Sequence, residues 1–470
     1  MSDTVEQKIN ETTRARRVPL FALFTANTIS FVGDVLMFIA IPWFVLQTTG
    51  SVAKTGIAAF FETLPTFISA FLGSALVDRL GYKRMSIVSD TTSCISVALI
   101  PLLYHATGLA FWQLLVLVFL AGFFQAPGST ARSSLVPDLA PLARMPLERA
   151  NAASDGIRRV STFIGAPLAG ILIAITGTSN LLWLDAISFA ISAALIGLAV
   201  PRPTRAGVWK ASSWFLRDGS GVERGGDPCG RSLGDCVARR PSHAVSPKNL
   251  PMQDTTPAPT AAHPKLEQGS YLANVLAGLR FIRQNQLILA IILTVMITNL
   301  LDQAFFAVVL PAYVKHFFGS PVILGVLSSC VGGAAFVGTV IFGAIGHRLP
   351  RRPTFSLAYI TLSLRFFVFA LVPLLPALII ANIISGLGAG PLNPIMSTVE
   401  QEVVPPEMRA RVLGTTTAGA YLGMPLGAFL CGYLVQWAGI TPSLLVIGTC
   451  YLLTTTSLLV NPALRGMERG

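Results

Sequence analysis

The chain has 470 residues, of which 53% are hydrophobic and 12% are charged, and its net charge is +12. Soluble globular proteins carry about 25% charged residues, so this composition excludes an ordinary soluble domain. The charges are concentrated between apolar runs of about twenty residues, the length that an α-helix needs to cross a bilayer. Because lipid offers the backbone no hydrogen-bond partners, such runs are expected to be helical.

Twelve apolar segments follow one another along the chain, and we call them spans 1 to 12. Six of them precede a long polar stretch and six follow it. The predicted spans are Leu20–Leu46, Val52–Val77, Met85–Tyr104, Leu109–Ser134, Ile157–Ile175, Asn180–Val200, Leu287–Tyr313, Val322–Ile345, Phe355–Leu375, Ala377–Val399, Val412–Trp437 and Thr441–Val460. The sequence therefore predicts an all-α membrane protein with twelve transmembrane helices.

Lysine and arginine are distributed unevenly between the two sides of these spans. All but three of the 34 basic residues lie in the N-terminal segment, in alternate loops, in the middle stretch or in the C-terminal tail; the exceptions are Lys54, Lys315 and Arg365. Basic loops are retained on the cytoplasmic side of a membrane. We therefore expect both termini in the cytoplasm of a prokaryotic cell, with the protein in the plasma (inner) membrane. The topology of the chain in the lipid bilayer explains its net positive charge, so no nucleic-acid partner is expected.

The middle stretch is rich in Gly, Pro, Ser and Arg and has few large apolar residues, so we expect it to be mostly disordered. The predicted parts are a cytoplasmic N-terminal segment (residues 1–18), an N-terminal six-helix bundle (19–200), a cytoplasmic linker (201–285), a C-terminal six-helix bundle (286–462) and a cytoplasmic tail (463–470). Near the end of the linker, Leu272–Arg283 is predicted to form an amphipathic helix at the membrane surface.

The two groups of six spans repeat each other at a nearly fixed spacing. Asp34 in span 1 is matched by Asp302 in span 7, 268 positions later. The stretch Gly165–Leu168 in span 5 (G-A-P-L) is matched by Gly423–Leu426 in span 11 (G-M-P-L), 258 positions later. A duplicated six-helix unit is typical of secondary transporters, whose two halves move around a central site.

The loop after span 2 carries a charged motif. Residues Ser74–Arg84 read S-A-L-V-D-R-L-G-Y-K-R. This stretch resembles the loop motif G-x-L-A-D-R-x-G-R-K of the major facilitator superfamily, although Ser74 replaces its glycine and Tyr82 replaces a basic residue. A weaker copy, G-A-I-G-H-R-L-P-R-R, lies at Gly343–Arg352 after span 8. The resemblance implies the major facilitator fold of two pseudo-symmetric six-helix bundles.

Further motifs resemble the drug-exporter branch of that superfamily, which contains macrolide-efflux proteins and the enterobactin exporter. They are Gly33-Asp34 and Pro42-Trp43, Glu148-Arg149-Ala150-Asn151, Asp185-Ala186-Ile187-Ser188-Phe189, and Gly278-Leu279-Arg280-Phe281-Ile282. The resemblance implies a secondary transporter that exports small, largely apolar molecules (drugs, macrolides or siderophores). We expect it to be a monomer, with the proton as coupling ion. The arginine that many proton-driven exporters carry inside span 4 has no counterpart before Arg132, so proton coupling is not implied by that motif.

Ionisable side chains inside the predicted spans are costly to bury in a bilayer and are therefore candidates for proton coupling or substrate binding. The candidates are Asp34, Glu62, Asp302, Arg365 and Glu400. Asp34 and Asp302 lie in the spans that line the central cavity of the superfamily, where a carboxylate could exchange a proton during turnover. Each acid could equally form a structural hydrogen bond between helices, and Glu62, which lies among phenylalanines, could contact a cationic substrate.

Other ionisable residues in the predicted spans need either a charged partner or water. Arg365 needs a counter-ion, and Asp302, Glu400 and Glu402 are possible partners. Two further acids, Asp90 and Asp185, lie nearer to the predicted ends of their spans, where we expect hydration.

The charged loops are expected to act as a conformational gate, because fixed charges can lock against helix ends in one state and release in another. The candidates for this gate are Asp78, Arg79, Gly81, Lys83, Arg84 and Arg348. The alternative is that Arg79, Lys83 and Arg84 only enforce topology.

Glycines and prolines inside the spans are expected to permit close helix packing or bending. They include Gly165, Pro167, Gly419, Gly423, Pro425 and Gly427. The spacing of Cys229 and Cys236 is not typical of zinc sites. Without a catalytic triad, a phosphate-binding glycine loop or a metal motif, we expect no enzyme activity, no cofactor and no bound metal.

Three other functions remain open at this point. The chain could import or facilitate the passage of a polar or lipid-like solute, act as a membrane sensor without transport, or be a membrane enzyme. An enzyme would need clustered polar residues at one membrane depth beside a catalytic motif.

Overall fold

The computed structural model describes residues 2–201, 271–405 and 408–468. Most of the predicted linker, including Cys229 and Cys236, lies outside these described residues. Within them every regular element is helical, and no strand occurs.

The N-terminal half contains spans 1 to 6, which are the helices Ser2–Thr49, Val52–Leu80, Tyr82–Ala106, Phe111–Leu139, Leu147–Thr176 and Thr178–Ala199. A further helix, Tyr271–Gln284, corresponds to the predicted amphipathic helix. The C-terminal half contains spans 7 to 12, which are Gln286–Phe317, Pro321–Ile345, Arg351–Leu371, Leu375–Val403, Arg409–Ala438 and Ile440–Val460.

Eleven of the described helices are long and apolar enough to cross a membrane. Span 2 is the twelfth, a continuous helix of 29 residues in which Glu62 is the one ionisable residue away from the two ends. The predicted twelve-helix fold is confirmed.

Several helices extend beyond their predicted apolar runs. Span 4 was expected to end at Ser134 but continues to Leu139, and span 5 begins at Leu147, ten residues before the predicted start. The length of an apolar run reflects the thickness of the bilayer, whereas helical hydrogen bonding continues into the polar flanks. One consequence is that Arg132, which the charge distribution assigns to the loop after span 4, lies inside the helix.

Spans 7 and 10 depart from regular α-helix near their centres. A π-helical turn, Phe305–Val309, begins three residues after Asp302. Span 10 is divided into Leu375–Ala389 and Leu392–Val403 by a turn at Gly390 and Pro391. Because proline has no amide N–H, the helical ladder is interrupted there. Such interruptions are frequent at functional sites.

The two halves meet through two equivalent pairs of spans. Span 2 packs on span 11, and span 5 packs on span 8. Since span 8 repeats span 2 and span 11 repeats span 5, exchanging the halves converts one contact into the other. The interface therefore has the pseudo-twofold symmetry that the sequence repeat predicts.

Close inter-half contacts occur near one end of the spans. We call the face at which span 1 begins and span 12 ends the terminal face, and the opposite one the distal face. Near the distal face, a Cβ atom on Gly56 would lie 2.7 Å from the Cα of Gly432, and one on Gly170 would lie 2.5 Å from the carbonyl oxygen of Pro321. Only glycine permits such close approach of the backbones.

The C-terminal residues pack onto the C-terminal half. A short 3₁₀ helix, Pro462–Glu468, buries Leu464 and Met467 in the main core. The side chain of Leu287 at the start of span 7 contacts this segment next to Gly466. Much of the predicted tail therefore belongs to the folded bundle.

Candidate functional site

The N-terminal half contains a buried ion pair between spans 3 and 4. Arg132 Nη1 lies 2.6 Å from Asp90 Oδ1, and both side chains are only 2% exposed. The other carboxylate oxygen of Asp90 accepts a hydrogen bond from Ser192 of span 6 at 2.7 Å. The expectation that Asp90 is hydrated is wrong, because helix packing removes it from water.

Asp34 of span 1 and Asp185 of span 6 lie beside this ion pair. Asp185 is completely buried, and Asp34 is close enough to Gln125, Arg132 and Asp185 to interact with their side chains. Asp34 Oδ1 and Asp185 Oδ2 are both buried with no hydrogen-bond partner among the described residues. The expected hydration of Asp185 is also wrong.

A glycine makes this arrangement possible. A Cβ atom on Gly33 would lie 2.5 Å from Asp185 Oδ1 and 2.5 Å from Ser188 Oγ. Any larger residue would push span 6 away from span 1. The Gly33-Asp34 pair thus brings two carboxylic acids from different helices into one buried site.

The C-terminal half contains a different ion pair. Arg365 of span 9 binds Asp302 of span 7, and the Tyr451 hydroxyl donates a long hydrogen bond of 3.5 Å to the other carboxylate oxygen. The side chain of Arg365 is 2% exposed and that of Asp302 is 26% exposed. Of the three possible counter-ions for Arg365, the structure selects Asp302.

Aromatic rings surround the Arg365 guanidinium. Its Cζ atom lies 4.8–4.9 Å from the ring centroids of Phe305, Phe306 and Phe366. Cation–π contacts of this kind stabilise a charge that has left water. Glu402 pairs instead with Arg351, at 2.6 Å.

The two equivalent aspartates therefore have different surroundings. Asp302 has a direct cationic partner, whereas Asp34 forms no ion pair within 4.0 Å among the described residues. A fixed counter-charge favours the ionised form of a buried carboxylate, so a carboxylate without such a partner gains a proton at lower cost.

A cavity of about 420 Å³ lies between spans 7, 9, 10 and 11 of the C-terminal half. Asp302 and Glu400 both contribute to its wall. Its other lining residues are Ile291, Ile292, Val295, Thr298, Asn299, Tyr359, Leu362, Ala389, Leu392, Asn393, Met396, Ser397, Thr416, Thr417, Ala420, Tyr421 and Met424. The mixture of apolar walls with a few polar groups is typical of sites that bind small molecules.

The sequence model of the Major Facilitator Superfamily matches residues 23–301 and 292–465. The chain belongs to the major facilitator superfamily. It is therefore an integral membrane transporter with a small-molecule substrate, and not an enzyme.

Curated relatives of this transporter include drug pumps. The multidrug efflux pump Tap of Mycobacterium tuberculosis is 27% identical over 457 residues, which cover 97% of this chain and 96% of the relative. Tap of Mycolicibacterium fortuitum is 27% identical over 85% of both chains.

Solved structures support the same fold. A crystal structure of a point mutant of the nucleoside transporter NupG superposes with a TM-score of 0.70 at 12% identity, covering 94% of this chain and 99% of that one. A bacterial homologue of the human lysosomal transporter Spinster, solved in an inward-facing and unoccupied conformation, gives 0.60 at 12% identity and covers 95% and 99%. At this identity the likeness concerns the fold alone.

Glu62 of this transporter does not line the cavity and is not among the groups that interact with Asp34. Its Oε2 atom is buried with no hydrogen-bond partner among the described residues. The neighbouring ring of Phe60 lies 5.6 Å from that of Phe429 in span 11, and the ring of Phe61 lies 6.4 Å from that of Phe119 in span 4. Glu62 therefore lies near the aromatic contact between the halves.

The predicted gate residues are held in different ways. Gly81, with φ of +78°, ends span 2 and begins span 3, a conformation that other residues rarely adopt. Lys83 is buried, and its ammonium donates to the carbonyl oxygens of Gly197 (2.8 Å) and Val200 at the end of span 6. Arg79 and Arg84 are exposed.

The structure describes less about the two remaining gate candidates, Asp78 and Arg348. The side chain of Asp78 lies outside the part of the chain that the structure describes. In the second copy of the motif, the exposed Arg348 donates from Nε to His347 Nε2 at 3.2 Å. Lys83 is thus the gate candidate for which the structure provides a helix-end contact.

The predicted packing residues lie at helix crossings. A Cβ atom on Gly165 would be 3.0 Å from the Val35 side chain, and one on Gly423 would be 2.7 Å from the Met296 carbonyl oxygen. Gly427 lies directly against the Leu300 backbone, whereas Gly419 has a looser contact with Ile292. Both Pro167 and Pro425 lie within continuous helices.

Arg132 is the residue of this cluster that the sequence analysis missed. The charge distribution assigns it to the basic loops, because the predicted span ends two residues later. The apolar residues Leu135, Val136 and Leu139 continue the helical period past Arg132 and are all buried. That periodicity is the signal in the sequence that places Arg132 inside span 4.

Proposed function

We propose that this transporter exports small, largely apolar molecules (drugs, macrolides or siderophores) in exchange for protons. It works by alternating access in a prokaryotic plasma (inner) membrane, as a monomer with both termini in the cytoplasm. The observation that carries the direction and the substrate class is the likeness to multidrug efflux pumps over 97% of the chain.

Proton coupling is assigned to Asp34. Its support is the lack of an ion pair among the described residues, the buried oxygen without a hydrogen-bond partner, and the nearby carboxyl group of Asp185. Placing a second negative charge beside Asp185 in a buried site is costly, so a proton on either acid changes the energy of the site. Binding of a proton by this pair and its later release would therefore favour different conformations of the N-terminal half.

Alternation requires that the inter-half contacts can separate. The contact at the distal face includes close glycine backbones and two hydrogen-bond contacts, 3.3 and 3.4 Å long, with the exposed Gln436 side chain. The Lys315 ammonium of span 7 also donates a hydrogen bond to the Leu46 carbonyl oxygen of span 1. Small residues provide little side-chain area, so the halves can part there at modest cost. Lys83, docked at the end of span 6, is the residue of the charged loop proposed to hold the terminal face in this state.

Transport in inside-out vesicles tests this function. Vesicles acidified inside, from cells that express the protein, should accumulate members of a panel of apolar drugs faster than vesicles from cells without it. A protonophore should abolish the difference, because the gradient is the energy source. Accumulation that ignores the gradient would contradict antiport, and movement only in the opposite direction would favour an importer.

A further inference from the structure

The cavity in the C-terminal half is an elongated groove along span 10. Its lining positions on the second helix of this span are Leu392, Asn393, Met396, Ser397 and Glu400, which share one helix face. At about 1.5 Å of rise per residue, the eight steps from Leu392 to Glu400 correspond to a length of about 12 Å. Span 7 runs beside it from Ile291 to Asp302 in the opposite direction. Glu400 therefore lies at the end towards the terminal face, and Asp302 lies at the inner end.

The charges at the two ends of the groove differ. At the inner end, the ion pair with Arg365 neutralises Asp302. At the other end, Glu400 has no cationic partner within 4.0 Å among the described residues, and its neighbour there is the hydroxyl group of Thr416. The groove thus carries one uncompensated carboxylate, which is half-buried. A charge in such a site attracts a cation more strongly than a fully hydrated one.

The walls between these ends are amphipathic. Asn299 donates one hydrogen bond to the Ala420 carbonyl oxygen at 3.0 Å, so its own amide oxygen is left to accept another. Met396 and Met424 line the apolar side, and flexible thioethers of this kind adapt to ligands of different shape. The cavity volume of about 420 Å³ lies within the range for drug-sized ligands.

We propose that this groove is the substrate site of the exporter and that it takes amphipathic organic cations. The cationic group lies at Glu400, and the apolar body extends along Met396 and Met424 towards Asp302. The identification of this ligand as exported cargo rests on the proposed function, whereas the binding of a cation at Glu400 does not.

Direct binding to the purified full chain tests the site. The probe is radiolabelled tetraphenylphosphonium, a permanent amphipathic cation. Glu400→Gln should weaken its binding by at least about tenfold, as expected when a partly desolvated ion pair is lost. Glu400→Asp keeps the charge and should stay within about threefold of the unaltered protein. Glu402→Gln is the matched control, because Glu402 lies two residues away but pairs with Arg351 outside the groove.

A second pair of variants tests the location without removing a charge. Ser397 lines the groove and is exposed, so Ser397→Trp should fill the space and reduce binding. Thr398 is the next residue, is also exposed and does not line the groove, so Thr398→Trp should bind as the unaltered protein does.

Three results would overturn the proposal. The first is that the unaltered protein shows no specific tetraphenylphosphonium binding. The second is that Glu400→Gln binds within about threefold of the affinity of the unaltered protein. The third is that Glu62→Gln loses tetraphenylphosphonium binding while Glu400→Gln does not. Export is measured separately in proteoliposomes. Binding that depends on Glu400 without any transport would contradict the proposed export and leave the proposed binding site standing. Transport by the unaltered protein together with normal binding by Glu400→Gln would contradict the binding site and leave the proposed export standing.

Discussion

Asp90 and Arg132 form a buried ion pair between spans 3 and 4, with 2.6 Å between Asp90 Oδ1 and Arg132 Nη1. Ser192 of span 6 binds the same carboxylate. These contacts therefore connect spans 3, 4 and 6 of the N-terminal half beside Asp34. The pair places the Arg132 guanidinium close enough to interact with Asp34, so it contributes to the electrostatic surroundings of the proposed proton site.

Asp90→Asn should destabilise the protein. Removing the carboxylate leaves the Arg132 guanidinium buried without its counter-charge, which costs about 3–5 kcal/mol. We expect a clear fall in the thermal unfolding midpoint in detergent. Asp138→Asn is the matched control, because Asp138 is exposed on span 4. Equal midpoints for the two variants would show that the pair contributes nothing to stability.

Substitutions along span 11 should follow the contact distances. A Cβ atom on Gly427 would lie 2.8 Å from the Leu300 carbonyl carbon, and one on Gly419 would lie 3.3 Å from the Ile292 side chain. Gly427→Ala should therefore lower the unfolding midpoint more than Gly419→Ala, with a cost of about 1–3 kcal/mol for the overpacked site. Gly414, which has no described atom within 4 Å, provides the control. The reverse order of midpoints would contradict the packing described between spans 7 and 11.

Gly56→Val should open the contact between the halves at the distal face. The branched side chain cannot fit where a Cβ atom would lie 2.6 Å from the Ala428 carbonyl oxygen. Spin labels at Lys54 and Trp437, both exposed near this face, should report a longer distance in a cysteine-free background. Gly156→Val is the control, since no described atom lies within 4 Å of that position. An unchanged distance distribution would refute the role of this glycine contact.

Lys83→Met should weaken the docking of the charged loop on span 6. The variant keeps the length of the side chain but removes the ammonium that binds the Gly197 and Val200 carbonyl oxygens. Hydrogen bonds from a charged group contribute about 1.5–3 kcal/mol each, so the unfolding midpoint and the transport rate should both fall. Arg84→Gln, at an exposed neighbour, should leave both unchanged. If the two variants behave alike, the loop acts only through its charge.

The fold could be predicted from the sequence because bilayer thickness fixes the length of each apolar run. The repeat that pairs Asp34 with Asp302 also predicted two related halves. The break in span 10 was foreseeable from Gly390 and Pro391. The π turn after Asp302 was not, because the pattern of apolar residues through Phe305–Val309 continues unbroken and gives no local signal for it.

The candidate site could be predicted only in part. Burial of Arg365 requires a counter-ion, and the sequence offered three. The choice of Asp302 depends on how spans 7 and 9 are aligned along each other. The periodicity of a single helix does not determine that alignment. The same holds for Asp90 and Arg132, which are 42 residues apart and meet through tertiary packing. The difference between Asp34 and Asp302, which the repeat treats as equivalent, also comes from their partners.

The central claim is that Asp34 couples proton movement to export. The most direct measurement compares uphill and downhill drug transport by Asp34→Asn in proteoliposomes, with and without an imposed pH gradient. Asparagine keeps the size of the side chain and removes the titratable proton. Uphill accumulation should fall below about a tenth of that of the unaltered protein, a loss of about 1.4 kcal/mol of coupling or more, while downhill flux is partly retained. Uphill transport by Asp34→Asn at the unaltered rate, with its pH dependence intact, would contradict the account.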